Sequence, residues 1–357
     1  MHAHQPETGF NLKNALREAT AAQLALLAVL LCGLLVVSTG MGFIPVPAAA
    51  VVKIILSKLT GNPDPIAGMN EILPVVVMDV RLPRILTAAM VGGGLAMCGV
   101  VFQGILLNPL ADPYTLGVSA GAAFGAALAI LLNIAALGVQ SVPLFAFIGA
   151  ALTLGAVIYL SSASGGLSSN NLILSGIIVA AILSAGISFL KYVADEQVAV
   201  IIFWLMGSFA SKTWTDAGLA LAAIGGGLAV FLFYARELNL MSLGPQMAAS
   251  LGVDTRRVTL VLLSAASLVA AVCVSVSGII GFVGLLVPHI MRALTGPDNR
   301  RLIPVSLLSG AVLLLAADTL TRAVLPTEIP IGVLTALIGG PFFCYVFRRQ
   351  QAARKAW

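Results

Sequence analysis

Charged residues are scarce in this sequence. Aspartate, glutamate, lysine and arginine make up 9% of the 357 residues, whereas 59% are hydrophobic; soluble domains carry about 25% charged residues. A soluble domain of this size could not use so much apolar sequence without exposing it to water, but a bilayer covers apolar side chains with lipid. The composition therefore predicts an all-α polytopic membrane protein. The net charge of +5 comes from basic residues scattered at segment ends, which fits membrane topology better than nucleic-acid binding.

Several signatures of chemistry are missing as well. No glycine is followed by lysine, so the chain has no GxxxxGK[ST] loop to cradle the phosphates of ATP, and it has no HExxH metal motif. The four cysteines lie within apolar segments without CxxC spacing, which predicts buried free thiols. We therefore expect no catalytic residue, no metal site and no cofactor.

Ionisable residues are almost absent from the apolar segments. The clearest are Asp318 and His289, and both lie nearer a segment end than its middle. A carrier driven by a proton or sodium gradient normally keeps such groups at mid-depth, because they bind the coupling ion. An ion-gradient-driven secondary transporter is therefore the alternative rather than the first hypothesis, and the energy for transport is expected from another chain.

Long apolar runs are what the sequence has in abundance. A hydrocarbon core of about 30 Å needs about 20 apolar residues in a helix. Runs of this kind predict ten transmembrane helices near residues 21–42, 80–107, 115–134, 142–162, 171–192, 214–235, 257–277, 280–294, 301–323 and 330–347. The glycine-rich stretch Ser277 to Gly284 predicts a tight out-and-back connection between the seventh and eighth helices.

Basic residues predict the orientation of this single transmembrane domain, residues 21–347. Placing both termini in the cytosol puts twelve lysines and arginines inside and seven outside, a moderate positive-inside bias. Residues 1–20 are then a cytosolic N-terminal tail, and residues 348–357 a basic cytosolic tail. Residues 236–257 form a long cytosolic segment that reads as two short helices broken at Gly244-Pro245 and Gly252. Such a segment in an otherwise tight protein suggests a docking surface for a soluble partner.

Four ordered motifs carry a resemblance to a known family. They are RLPR (81–84), FQGILLNPLADPYTLGVSAG (102–121), GFVGLLVPHIMR (281–292) and ADTLTR with EIPIGVLTALIGGP (317–341). From about residue 75 onward the chain resembles the FecCD/BtuC-type permeases of ABC importers, which take up iron–siderophores, haem and vitamin B12. The resemblance implies a type II ABC importer permease fold in the bacterial inner membrane. It also implies a homodimer, two separate ATPase subunits and a periplasmic substrate-binding protein.

The resemblance assigns roles to three sets of residues. Docking of the binding protein, through carboxylates that arginine can hold in a bidentate manner, falls to Arg81, Arg84 and Arg322. Coupling to the ATPase falls to Leu243, Gly244, Gln246, Ala248, Leu251 and Gly252. The cytoplasmic gate falls to the turn Ser168, Ser169, Asn170 and Asn171.

Each role has a simpler alternative. The arginines could reach lipid phosphates, and Arg322 could pair with Asp318 one helical turn away. The gate residues could form an ordinary polar turn, and the coupling segment an ordinary solvated loop. Gln246 and Ala249 depart from the acidic and basic residues common in the family, which puts particular salt bridges with the ATPase in doubt. In NPLADP (108–113), Asn108 and Asp112 are expected to act as caps and turn formers.

Overall fold

A computed structural model describes residues 12–42, 44–62, 68–134, 138–163, 166–323 and 328–355, and in these ranges all regular structure is helical. The helices are α1 (Leu12–Gly40), α2 (Ala48–Thr60), α3 (Ile72–Val75), α4 (Leu82–Ile105), α5 (Val118–Leu131), α6 (Ser141–Ala163), α7 (Ser169–Val193), α8 (Val198–Leu205), α9 (Trp214–Phe233), α10 (Ala235–Met241), α11 (Pro245–Ser250), α12 (Thr255–Ser277), α13 (Val283–Thr295), α14 (Asn299–Ala323) and α15 (Ile331–Lys355). The all-α prediction is confirmed.

Seven helices of the described residues are long and apolar enough to cross a membrane: Thr20–Gly40, Ile72–Ile105, Ser141–Ala163, Ser169–Val193, Trp214–Phe233, Thr255–Ser277 and Asn299–Ala323. Three shorter apolar helices, Val118–Leu131, Val283–Thr295 and Ile331–Tyr345, coincide with the predicted third, eighth and tenth spans. Because these three fall short of the usual spanning length, the count of ten stays a prediction.

Several helix boundaries differ from the predictions. Helix α15 continues to Lys355, so the described part of the predicted C-terminal tail is helical. Helix α1 already begins at Leu12, so the part of the predicted tail that is described is helical, and residues 1–11 lie outside the described ranges. The second predicted helix begins at Ile72 rather than near residue 80, because α3 runs through a π-helical segment (Val76–Arg81) into α4. The indole Nε1 of Trp214 donates to the Met78 carbonyl in this segment at 3.0 Å. The π-helical backbone thus receives a hydrogen bond from a side chain of another helix.

Helix α4 is the centre of the bundle. Nearly all of its residues from Thr87 to Phe102 are buried, whereas the described side chains of α1 before Ser38 are half-buried or exposed. It packs against α9, α12, α13 and α14.

The central position of α4 also decides which cysteines are buried. All four are free thiols, but only Cys98 on α4 and Cys273 on the adjoining α12 are buried. The expectation of burial was wrong for Cys32 and Cys344, because the outer faces of their helices are not covered by the rest of the chain.

Glycines let α4 approach its neighbours at backbone distance. A Cβ added to Gly92 would lie 2.3 Å from the carbonyl oxygen of Gly310 on α14, and one added to Gly99 would lie 1.7 Å from the carbonyl oxygen of Gly284 on α13. No real side chain tolerates such distances. Small-residue contacts of this kind are the usual basis of helix association in membranes, where lipid removes the hydrophobic drive between helices.

This contact predicts that Gly99→Ala destabilises the protein. The added methyl must push α4 away from α13, and overpacking of this kind costs roughly 1–3 kcal/mol. We expect a lower melting temperature of the detergent-solubilised protein. The matched control is Gly226→Ala on α9, where an added Cβ meets nothing within 4 Å and helix propensity favours alanine. Equal melting temperatures for the two variants would contradict the proposed packing.

Candidate functional site

Two polar regions lie at opposite ends of the α4–α14 pair. The arginine end consists of Arg81, Arg84, Asp318, Arg322 and Glu328. The coupling segment, residues 236–257, packs at the other end through contacts of α10 with α4 and α14. Every residue predicted to dock a binding protein therefore lies in the first region, and every residue predicted to meet an ATPase lies in the second.

Arg84 is held by two carboxylates in the arginine end. Its Nη2 lies 2.9 Å and its Nε 3.2 Å from Oδ1 of Asp318, whose side chain is 2% exposed. Its Nη1 lies 3.1 Å from Oε1 of Glu328, whose side chain is 53% exposed. The Arg84 guanidinium thus has one buried partner and one partner at the surface, and its own side chain is 14% exposed.

Arg322 ties α14 to the C-terminal end of α1. Its Nη2 donates to the Ser38 hydroxyl at 2.6 Å and to the Ser38 carbonyl, its Nη1 donates to the Met41 carbonyl, and its Nε lies 3.4 Å from Oδ2 of Asp318. The ion pair between Arg322 and Asp318, which their spacing of one helical turn allowed, is therefore present. The C-terminus of a helix leaves four carbonyls without intrahelical donors. Arg322 supplies donors at the C-terminal end of α1.

Arg81 donates to other carbonyls at and just beyond the same end of α1. Its Nη1 donates to the Thr39 carbonyl at 2.7 Å and to the Gly40 carbonyl at 3.3 Å, and its Nη2 donates to the Ile44 carbonyl. The residue is 7% exposed. The structure thus brings the three predicted docking arginines together, and within this chain it gives each of them internal partners.

Glu328 was missed in the sequence analysis. It is the single acidic residue of EIPIGVLTALIGGP, at the start of a described range, and no helical spacing links it to Arg84. A lone carboxylate at the start of an apolar segment is a weak signal that could have identified Glu328 as a functional residue. Its partner lies 244 residues away in sequence, a separation that spacing rules do not reach.

The coupling segment contains the two short helices predicted for it. Gly244 and Gly252 adopt φ values of +100° and +86°, and α11 lies between them. Of the predicted coupling residues, Ala248 is buried and holds α11 in place. The apolar side chains of Leu243, Met247 and Leu251 are 62%, 55% and 55% exposed. The segment thus presents an apolar face outside the spanning helices.

A network of amides and one carboxylate joins the coupling segment to α14. Asn239 of α10 donates from Nδ2 to Oδ1 of Asp298 at 2.7 Å, and its Oδ1 accepts from both the backbone N and Nδ2 of Asn299 at 2.8 Å. Asn299 is 6% exposed. We call this site the asparagine junction (Asn239, Asp298 and Asn299); no local pattern in the sequence marks it.

The predicted gate turn lies beside the coupling segment. Ser168 accepts from the backbone N of Asn171 at 3.2 Å, and Nδ2 of Asn171 donates to the Gly166 carbonyl at 3.1 Å. These bonds are those of an ordinary helix-capping turn, and Asn170 is exposed. A cavity of about 500 Å³ nevertheless joins Ser168 and Ser169 to Met241 and Pro245 of the coupling segment and to the first turns of α12.

Backbone groups at the start of α15, at the end of α12 and just after α8 form a second junction. The N–H of Ile331 donates to the Gly207 carbonyl at 3.2 Å, that of Gly332 to the Met206 carbonyl at 3.0 Å, and that of Ser208 to the Ser277 carbonyl at 2.8 Å. The first N–H groups of a helix have no intrahelical partner, and here the carbonyls of Met206 and Gly207 accept from those of α15. An open surface depression borders this junction. The predicted break between α12 and α13 is present, but its partners on other helices were not predicted.

The hallmark NPLADP forms caps and turns, as expected. Oδ1 of Asp112 accepts from the backbone N–H groups of Tyr114 and Thr115 at 3.1 and 3.0 Å, and Oδ1 of Asn108 accepts from that of Leu110 at 3.0 Å. Burial raises the pKa of the Asp112 carboxyl, although the hydrogen bonds from Thr115 and Tyr114 oppose the rise. The cap starts a short 3-10 turn, and α5 is therefore shorter than predicted.

Comparison with known proteins is consistent across sequence and structure. The family model described as the FecCD transport family matches residues 26–349. A cobalamin import system permease of Halobacterium salinarum is 45% identical over 285 residues, 80% of this chain and 76% of that protein. The hemin transport system permease of Yersinia pestis is 40% identical over 290 residues, 80% of this chain and 86% of that protein. A solved metal-chelate type ABC transporter in an inward-facing conformation superimposes with a TM-score of 0.77 at 37% identity, covering 91% of this chain and 98% of its own.

The arginine end predicts that Asp318→Asn destabilises the protein strongly. Removing the buried carboxylate leaves Arg84 and Arg322 without their common counter-charge, and breaking a buried ion pair from one side costs about 3–5 kcal/mol. The loss is measured as a drop in melting temperature in detergent. Asp79→Asn, which changes an exposed aspartate in the neighbouring π-helical segment, is the control and should leave the melting temperature unchanged. A loss no larger than that of the control would show that Asp318 does not organise this end.

Proposed function

This chain belongs to the FecCD transport family, and we propose that it is the permease subunit of an ATP-driven importer for an iron chelate, haem or a corrinoid. The observation that carries the proposal is the coupling segment: Leu243, Met247 and Leu251 form an exposed apolar face outside the spanning helices. The sequence has no P-loop of its own. A chain with an exposed docking face and no nucleotide site is suited to receive its energy from a separate ATPase.

The assembly that we propose has two copies of this chain, two ATPase subunits and a periplasmic binding protein. Each copy crosses the bacterial inner membrane ten times, with both termini in the cytosol and the coupling segment on the cytosolic side. The three shorter apolar helices supply the additional spans, and the basic residues near the coupling segment support this orientation. A single ten-helix unit per chain supports a homodimer.

The ion-driven alternative is not favoured. The relatives that match this chain are importer permeases of the ABC class. Asp318, the clearest carboxylate in the apolar segments, is fixed by Arg84 and Arg322 and is only 2% exposed. A carboxylate held between two guanidiniums has no free position for a proton or sodium ion to bind and leave during each cycle.

Coupling and gating are proposed to act side by side at the cytosolic face. Leu243, Gly244, Gln246, Ala248, Leu251 and Gly252 form the ATPase contact, and Ser168, Ser169, Asn170 and Asn171 form the gate. The shared cavity beside Met241 and Pro245 supports this arrangement, because movement of α11 can change the space next to the gate turn. Small neutral polar residues there let a bulky ligand pass without trapping it.

Docking of the binding protein is proposed at the arginine end. Arg81 and Arg322 hold the end of α1 in position, so Arg84 is the arginine with a partner that can be exchanged. Its bond to Asp318 is buried, whereas its bond to Glu328 lies at the surface. A carboxylate of the binding protein can replace Glu328 on Arg84 while Asp318 keeps the guanidinium oriented.

The proposed energy source predicts ATP-dependent uptake. Proteoliposomes that contain this chain with its ATPase should import cobalamin, hemin or a ferric siderophore, presented by the binding protein, only when hydrolysable ATP is available to the ATPase. The measurement is accumulation of radiolabelled cargo, with a non-hydrolysable ATP analogue as the control. Uptake by this chain alone under a proton or sodium gradient would refute the ABC assignment.

The proposed docking predicts opposite effects of two substitutions. Glu328→Gln removes the internal competitor for Arg84 and should strengthen binding of the binding protein severalfold, whereas Arg84→Gln should weaken it. Affinity is measured by biolayer interferometry on the protein in nanodiscs at low salt, since screening weakens exposed ion pairs. An exposed internal pair contributes little to stability, so Glu328→Gln should not lower the melting temperature. If both variants bind with unchanged affinity, Arg84 does not dock the partner.

A further inference from the structure

Helices α4 and α14 form one continuous element between the two polar regions. Gly92 and Gly310 bring their backbones together, and a Cβ on Gly93 would lie 2.8 Å from the carbonyl oxygen of Leu307. The two backbones are therefore already so close that the helices have no room to shift toward one another. Asn299 and Asp318 on α14 are 19 residues apart, which at 1.5 Å per residue is about 28 Å. This length matches the hydrocarbon thickness of about 30 Å.

The arginine end fastens both helices at one terminus. Arg84 on α4 and Arg322 on α14 both pair with Asp318, so the two helices share one buried counter-charge. Arg322 also holds the carbonyl end of α1. A movement of α14 along or about its axis must therefore carry Arg84, the arginine with the surface partner Glu328.

The asparagine junction fastens α14 at its other terminus. Asn239 of α10 bonds the start of α14 with both halves of its amide. The preceding residue, Leu238, packs against Gly104 of α4. A Cβ added to Gly104 would lie 2.7 Å from Cδ1 of Leu238. Helix α10 thus contacts α4 through an apolar side chain and α14 through a polar one.

We propose that Asn239 is a positioning residue that transmits movement of the coupling segment to α14, through its hydrogen bonds to Asp298 and Asn299, and so to the arginine end. The inference rests on the proposed function. Directional hydrogen bonds specify one relative placement of α10 and α14, whereas the apolar contact of Leu238 tolerates sliding. The junction therefore couples the two ends by position, without touching cargo or nucleotide.

Asn239→Asp tests the junction by its charge. The new carboxylate still accepts from Asn299, but it faces the Asp298 carboxylate, 2.7 Å away in the present bond, and the two repel each other. We expect the cargo imported per ATP hydrolysed to fall about tenfold, within the range of allosteric coupling strengths. The melting temperature and the amount of ATPase that co-purifies should stay at wild-type values, because the spanning helices and the exposed apolar face are unchanged.

The double variant Asn239→Asp/Asp298→Asn provides the rescue. It exchanges donor and acceptor, restores one hydrogen bond between positions 239 and 298, and should return the transport-to-hydrolysis ratio toward the wild-type value. Arg300→Gln is the matched control, because it changes an exposed side chain beside the junction and keeps the backbone hydrogen bond from residue 300 to Asp298. It should leave the ratio unchanged. If Asn239→Asp does not accumulate in membranes, the ratio is measured on Asn239→Ala, which removes both the donor to Asp298 and the acceptor for Asn299, with the same expected loss.

The outcomes separate this inference from the proposed function. An unchanged ratio in the single variant, a loss that follows reduced ATPase binding, or a double variant no better than the single one overturns the role of Asn239. Wild-type uptake that does not need ATP overturns the proposed function instead. ATP-dependent uptake by the wild type with a selective loss in Asn239→Asp supports both.

Discussion

The backbone contact between α4 and its neighbours is the constraint on which the bundle depends. Inside a membrane, apolar side chains gain little by leaving lipid for protein, so helices associate where they can approach most closely. Gly92, Gly99, Gly284 and Gly310 provide that approach on three helices. Once α4 is enclosed, its two termini fix where polar groups can be placed, and both polar regions form there.

Those polar regions use charge in different ways. At the arginine end, guanidiniums satisfy the open carbonyls of α1 and share the buried Asp318, so charge serves mainly to hold three helix ends together. At the asparagine junction, neutral amides join α10 to α14, and the one carboxylate, Asp298, is partly exposed. Neutral hydrogen bonds are weaker than buried ion pairs but directional, which suits a contact that must keep its geometry while the segment beside it moves.

The sequence was sufficient for features set by local pattern. The apolar runs predicted the long helices, the glycine-rich stretch predicted the break after Ser277, and the spacing of Asp318 and Arg322 allowed their pairing. Family resemblance also selected the right group of arginines as neighbours. Helix lengths failed where a local cap intervened: Asp112 starts a 3-10 turn before α5, and the π-helical segment extends the second helix toward its N-terminus.

Contacts between distant parts of the chain could not be read in the same way. Arg84 and Glu328 are 244 residues apart, and Asn239 and Asp298 are 59 apart; no periodicity relates such positions. The backbone junction of Gly207, Ser277 and Gly332 likewise depends on three separate parts of the chain meeting in space. The glycines that allow it are visible in the sequence, but their partners become visible only once the helices are placed.

The internal partners of the arginines determine which hydrogen bonds must be broken when a partner docks at this end. A guanidinium that is free in solution must lose hydration and side-chain entropy when a partner binds. Arg84 has already lost much of its hydration and its side-chain entropy, because Asp318 fixes one side of the guanidinium. Only the surface bond to Glu328 must be exchanged. Exchange of one carboxylate for another keeps the local charge constant, so the affinity depends on geometry more than on net attraction. A binding protein would then be recognised by the placement of its carboxylates, and the placement of Arg84 is set by α14, the same helix that the asparagine junction joins to the coupling segment.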